Sequence, residues 1–154
     1  MARDRGGPRP LLQVLAYPIV DCDAETGSYH RFGTGYLLTR DEMIWYMDQY
    51  APAPLDRSNP YLSPLRADDL SGLAPALVVT AGYDVLRDEG ERYAERLRAA
   101  GVPTTLSRRG GMIHGFLRRY PFFDQGREAV DEIATALRRA FGLTGPSRGV
   151  DGAG

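Results

Sequence analysis

The chain has 154 residues, 43% hydrophobic and 25% charged, enough for one soluble globular domain, or part of one, that buries roughly two thirds of its surface. Its 19 basic and 20 acidic residues are scattered along the chain for a formal net charge of -1, which excludes the basic stripe of a nucleic-acid binder or a polybasic membrane patch. One cysteine, Cys22, and two histidines, His30 and His114, leave no disulfide framework and no Cys- or His-rich metal cluster, and they suit a reducing, cytoplasmic setting.

The first predicted element is a strand at Leu11 to Ala16, a short and nearly continuous apolar run ended by Tyr17-Pro18, as expected of a strand buried on both faces. The apolar stretches Leu11 to Val20 and Ala74 to Ala81 are broken by Gln13 and Pro18 or by Pro75, and both fall short of the ~20 residues of a membrane span. The arginines before Leu11 are not followed by an apolar run long enough for a signal peptide.

From Asp21 to Gly72 the pattern is one helix set in loops. Thr39-Arg40-Asp41-Glu42 forms a capping box: the threonine hydroxyl can accept from the Glu42 N–H while the glutamate carboxylate accepts from the Thr39 N–H, so a helix starts at Arg40. It carries Met43, Ile44, Trp45, Tyr46, Met47 and Tyr50 over a wide arc and stops before Pro52 and Pro54. Such a face packs into a core, or it caps a pocket with its aromatic and methionine side chains.

Ala76 to Thr80 (ALVVT) reads as a second buried strand and Thr104 to Ser107, with Val102, as a third. Between them, Leu86, Tyr93, Ala94, Leu97 and Ala100 fall at helical spacing, and Gly101 supplies a stop. A crossover of this length joins parallel strands, so the fold class is α/β. A final amphipathic helix is predicted at about Gln125 to Phe141 from Val130, Ile133, Ala134, Leu137 and Phe141. This organises the chain as a partial domain at 1–142, with a cap-like connecting segment at 21–72, and a flexible tail at 143–154.

In open α/β sheets, reactive groups gather in the loops at the carboxyl ends of the strands. Asp84 follows the second strand in AGYDVLRDEG and His114 follows the third in RRGGMIHGF, and adjacent strands bring these loops together. An aspartate beside a histidine is the orienting half of a nucleophile, histidine, acid triad, because the carboxylate fixes the tautomer and stabilises the imidazolium formed during proton transfer. The residues by themselves leave a structural histidine and a helix-capping aspartate open. Asp88 and Glu89 are rival acids, but a place in the first helical turn explains both through the helix dipole.

ALVVTAGYDVLRDEGERYAERLRAAGV followed by GGMIHGF resembles the C-terminal half of the hormone-sensitive-lipase family of α/β-hydrolases, the bacterial esterase and lipase group. YPIVDCDAETGSY, LLTRDEMIWYMDQY and NPYLSPLRADDLSGL are also similar to that family, so the resemblance runs from Met1 to about Gly142. It implies an α/β-hydrolase fold with about three parallel strands, flanking helices and a partial cap helix. It also implies that Asp84 is the catalytic acid and His114 the catalytic base, with no cofactor and a small-molecule ester as substrate. A homodimer through the last strand is a further implication. Val85 stands where the family commonly has proline, which should loosen the acid loop, and Gly110 replaces a bulkier residue.

The resemblance also implies a serine in a G-x-S-x-G elbow and an HGGG-type oxyanion loop. None of Ser28, Ser58, Ser63, Ser71, Ser107 and Ser147 has glycines two residues away on both sides, and there is no HGGG. The chain therefore reads as part of a longer carboxylic-ester hydrolase, expected to be inactive by itself. Its Leu11 to Ala16 strand would then be an uncharged apolar sheet edge, while Arg108 and Arg109 protect the opposite edge. Two other readings use the same residues: a non-catalytic remnant or interaction module, and an amide or peptide hydrolase on the same fold.

Overall fold

The computed structural model describes residues 3–52 and 56–143; Pro54, Met1 and the tail beyond Leu143 lie outside the described residues. Three parallel strands form one sheet in the order β1 (Gln13–Ala16), β2 (Ala76–Tyr83), β3 (Thr104–Ile113). β2 is central, and its period of two sorts its side chains between two layers. Ala76 and Val78 pack with Tyr93, Ala94 and Leu97 of helix α3 (Arg87–Ala99). Leu77, Val79 and Ala81 pack with Ala129, Ile133 and Ala136 of helix α4 (Asp124–Ala140). Burying each of the valine and leucine side chains stabilises the fold by roughly 1.5–3 kcal/mol. The continuous apolar run of ALVVT is thus explained by helices on both faces.

Gly101 ends α3 in the left-handed conformation, at φ 76°, with its N–H bonded to the Arg98 carbonyl and the Val102 N–H to that of Leu97 at 3.0 Å. The chain can then enter β3 directly beside β2. β1, expected to be buried on both faces, is half-buried, because it lies at the sheet edge and pairs only with β2 among the described residues.

Residues between β1 and β2 form two helices where the sequence predicts one. α1 (Gly27–Phe32) precedes α2 (Arg40–Tyr50), and a short 3-10 turn occupies Pro64–Arg66. α2 begins at Arg40 with both halves of the capping box in place. Its apolar arc divides: Met43 and Met47 are buried with Tyr29, Phe32, Val85 and Leu86, whereas Trp45, Tyr46 and Tyr50 are exposed. The helix therefore packs by its methionines and displays its aromatics.

β3 runs six residues beyond the predicted Ser107, through Gly110 and Gly111 to Ile113. Arg108 and Arg109, expected to guard a sheet edge, instead tie β3 to the helices above and below it. Arg108 pairs with Glu91 of α3, and Arg109 with Glu128 at 3.0 Å and Glu132 at 2.6 Å on α4. Among the described residues, no helix is long and apolar enough to cross a membrane.

Candidate active site

The register of β2 and β3 determines what meets at their ends. Up to Ala81 each β2 residue faces the β3 residue 28 positions later, Ala76 opposite Thr104 and Ala81 opposite Arg109. Continued unchanged, this register would set Asp84 opposite Met112. A bulge intervenes, and Tyr83 pairs with Ile113, two residues further along β3. Gly82 and Gly110 permit it, since a Cβ at Gly82 would overlap the Gly110 carbonyl oxygen. The bulge brings His114, the first residue after β3, opposite Asp84, the first residue after β2.

Asp84 has no exposed side-chain surface. Its Oδ1 accepts from the Leu86 N–H at 3.0 Å, an Asx-type turn that fixes the carboxylate plane, and its Oδ2 lies 2.9 Å from His114 Nδ1. The bond assigns the proton to Nδ1 and leaves Nε2, which has no protein partner among the described residues, as the acceptor. Gly115, at φ 76°, turns the chain back behind the imidazole, and the next residue, Phe116, is buried. Val85 does not loosen the acid loop: it is fully buried, and its carbonyl accepts from the Ser28 hydroxyl at 2.6 Å.

The first residue after β1 completes the pattern. Tyr17 sits against the His114 ring with centroids 4.5 Å apart and 57° between planes, and it also meets Phe116 edge-on. It occupies the left-handed region at φ 37°, a conformation that costs an aromatic residue on the order of 1–3 kcal/mol and is held here by its N–H bond to the Val79 carbonyl at 2.6 Å. Burial pushes the Tyr17 phenol above its usual range, with the Asp84 charge adding to the effect and Arg118 opposing it. The residues immediately following the three strands thus converge on one point. Tyr17 is absent from the candidates drawn from sequence; its position directly after a strand is the signal that could have found it.

The two rival acids both lie in the first turn of α3, as expected, and each also binds a distant backbone N–H group. Asp88 Oδ2 accepts from the Ser28 N–H at 2.7 Å, which ties α1 to the first turn of α3. Glu89, read as a first-turn charge favoured by the helix dipole, is fully buried. Its Oε1 accepts from the N–H groups of Val20 at 2.8 Å and Asp21 at 3.4 Å, holding the segment that follows Tyr17-Pro18. Burial raises its carboxyl to about 8, against the opposing pull of those two N–H groups.

A cleft of about 530 Å³ opens at the histidine, lined by Tyr17, Tyr46, His114, Arg118 and Arg119 among others. Tyr46 also lines an apolar groove of about 740 Å³ with Ile19, Met43, Met47, Tyr50 and Leu62. The face of α2 therefore serves both as core, through its methionines, and as pocket wall, through Tyr46. Among the described residues, no three His, Cys, Asp or Glu side chains converge on a common metal position.

A parallel sheet whose carboxyl ends present a buried aspartate bonded to a histidine has the architecture of an α/β-hydrolase, and a model of the alpha/beta hydrolase fold matches residues 1–118; the chain belongs to this family, in its hormone-sensitive-lipase-like branch. It is 47% identical to the carboxylic ester hydrolase LipN of Mycobacterium tuberculosis, over 89% of this chain and 37% of that protein. With the ethyl acetate hydrolase of Pseudomonas putida it shares 37% identity over 90% of this chain and 44% of the relative. The solved esterase of Pyrobaculum calidifontis superimposes with a TM-score of 0.85 at 46% identity, covering 90% of this chain and 46% of the esterase. The chain thus spans less than half the length of each of these relatives.

Proposed function

We propose that this chain supplies the general base, His114, and the orienting acid, Asp84, of a serine-type carboxylic-ester hydrolase. The observation that carries the reading is the 2.9 Å bond from His114 Nδ1 to a carboxylate with no solvent exposure, in a family whose matched relatives are named as ester hydrolases. With Nδ1 engaged, Nε2 faces the cleft as the proton acceptor. In the complete reaction it takes the proton of a serine hydroxyl as the oxygen attacks the ester carbonyl, and returns it to the departing alkoxide. It then takes a proton from the water that releases the acyl group. Asp84 keeps its charge throughout and stabilises the transient imidazolium.

The sequence contains no G-x-S-x-G elbow and no HGGG loop, so the nucleophile and oxyanion donors of this reading lie outside these 154 residues. Loss of the serine costs on the order of 10⁶ in turnover. The purified chain is therefore expected to hydrolyse nitrophenyl acetate or butyrate no faster than buffer. Turnover that survives repeated purification and disappears in His114→Ala would refute this part of the reading. The single cysteine is consistent with a cytoplasmic setting. Two copies meeting along the free edge of β3 are the assembly that accompanies this reading; sedimentation should give a mass near twice 17.0 kDa, and a mass of 17.0 kDa would exclude it.

A further inference from the structure

Most arginines near the sheet ends have partners. Arg87 pairs with Asp88, Arg108 with Glu91, Arg109 with Glu128 and Glu132, and Arg127 with Asp124. Arg118 and Arg119, on the 3-10 turn Phe116–Phe122, are exposed, and their guanidinium groups make no ion pair or hydrogen bond among the described residues. Both line the cleft at His114. The charge of Arg118 reaches into it, acting on the Tyr17 phenol against the effect of burial.

The turn that presents them is anchored at both ends. Phe116 is buried beneath its start, and near its end the Pro121 carbonyl accepts from Arg127 Nη1 at 2.6 Å. One carboxylate, Glu42, also lines the cleft, but its Oε2 already accepts from the Thr39 N–H and hydroxyl, each at 2.8 Å. Two unpaired guanidinium groups therefore face a single carboxylate that is engaged at the start of α2. Guanidinium is planar and always charged, and it holds a carboxylate through two parallel N–H bonds. A cleft of about 530 Å³ has room for a short ester beside the imidazole.

We propose that this cleft takes a short ester bearing a free carboxylate, of the monoalkyl dicarboxylate type, with the carboxylate held by Arg118 and Arg119 and the ester group beside His114. The inference rests on the hydrolase reading above and adds a substrate class to it. It requires no turnover to test.

The two histidines give separate ring C–H resonances, so monomethyl succinate and dimethyl succinate can be titrated into the chain at constant ionic strength. The monoanion should move the His114 signals while leaving those of His30, and should bind about tenfold more tightly than the neutral diester. The Arg118→Ala/Arg119→Ala double variant should bind the two compounds equally, and the corresponding double lysine variant should recover part of the preference. Both positions are exposed, so the fold should persist in every variant. Equal binding of monoanion and diester by the unaltered chain would overturn the inference, as would a preference that survives in the double alanine variant. If the preference is absent while the Nδ1–H resonance of His114 remains, the substrate class is wrong and the acid and base assignment stands. If that resonance is absent, the assignment fails and this inference with it.

Discussion

His30 and His114 each lie within hydrogen-bonding reach of a carboxylate, yet their surroundings give the two contacts different value. His30 Nε2 is 3.2 Å from Glu25 Oε2, with side chains 62% and 55% exposed, and Glu25 also pairs with Arg40. His114 Nδ1 is 2.9 Å from Asp84 Oδ2, with exposures of 24% and 0%. Water and salt compete for the first pair, while the second works at low local dielectric with a carboxylate already fixed by the Leu86 N–H. Proximity of a histidine to an acid is therefore a weak signal. What separates the pairs is the rigid, buried acceptor, which can hold one tautomer.

The largest difference should appear on deleting the acids. Asp84→Ala leaves the Leu86 N–H and His114 Nδ1 without their buried acceptor and should destabilise the fold by about 2–3 kcal/mol. Glu25→Ala should cost no more than about 0.5 kcal/mol, because its partners remain hydrated. Urea midpoints of the two variants check this; similar losses would erase the distinction drawn between the pairs.

A smaller effect concerns the segment beside the site. Folded Glu89 holds its proton to about pH 8, whereas the unfolded carboxyl releases it near the ordinary 4.5. The folded state thus binds more protons across this window, and stability should fall as pH rises from about 5 to 8, with a slope of at most about 1.4 kcal/mol per pH unit from this group. Glu89→Gln should flatten the slope, and urea melts at several pH values measure it. An unchanged slope would show that the buried carboxyl is charged throughout.

Asp84 and His114 were legible because each follows an apolar strand at a chemically suggestive place. Their alignment was not, since it depends on a two-residue shift that only the close approach of Gly82 to Gly110 allows. Read as sequence, Gly110-Gly111 is a loop signal, and it hid the second half of β3. Glu89 was legible only as a first-turn charge, because the N–H groups that bind it belong to Val20 and Asp21, 69 and 68 residues away. α1 has six residues, too few to reveal a helical period, and its place is set by Ser28 bonding to Val85 and Asp88. The division of α2 into buried methionines and exposed aromatics depends on which side α1 occupies, and composition does not encode that.

The most direct measurement is the protonation of the two imidazoles by ¹⁵N NMR. His114 should show a single tautomer, with Nδ1 protonated and Nε2 bare, and a downfield Nδ1–H that exchanges slowly and disappears in Asp84→Ala. His30 should average between tautomers with no protected proton. A His114 spectrum indistinguishable from that of His30 would contradict the assignment of Asp84 and His114 as an oriented acid and base.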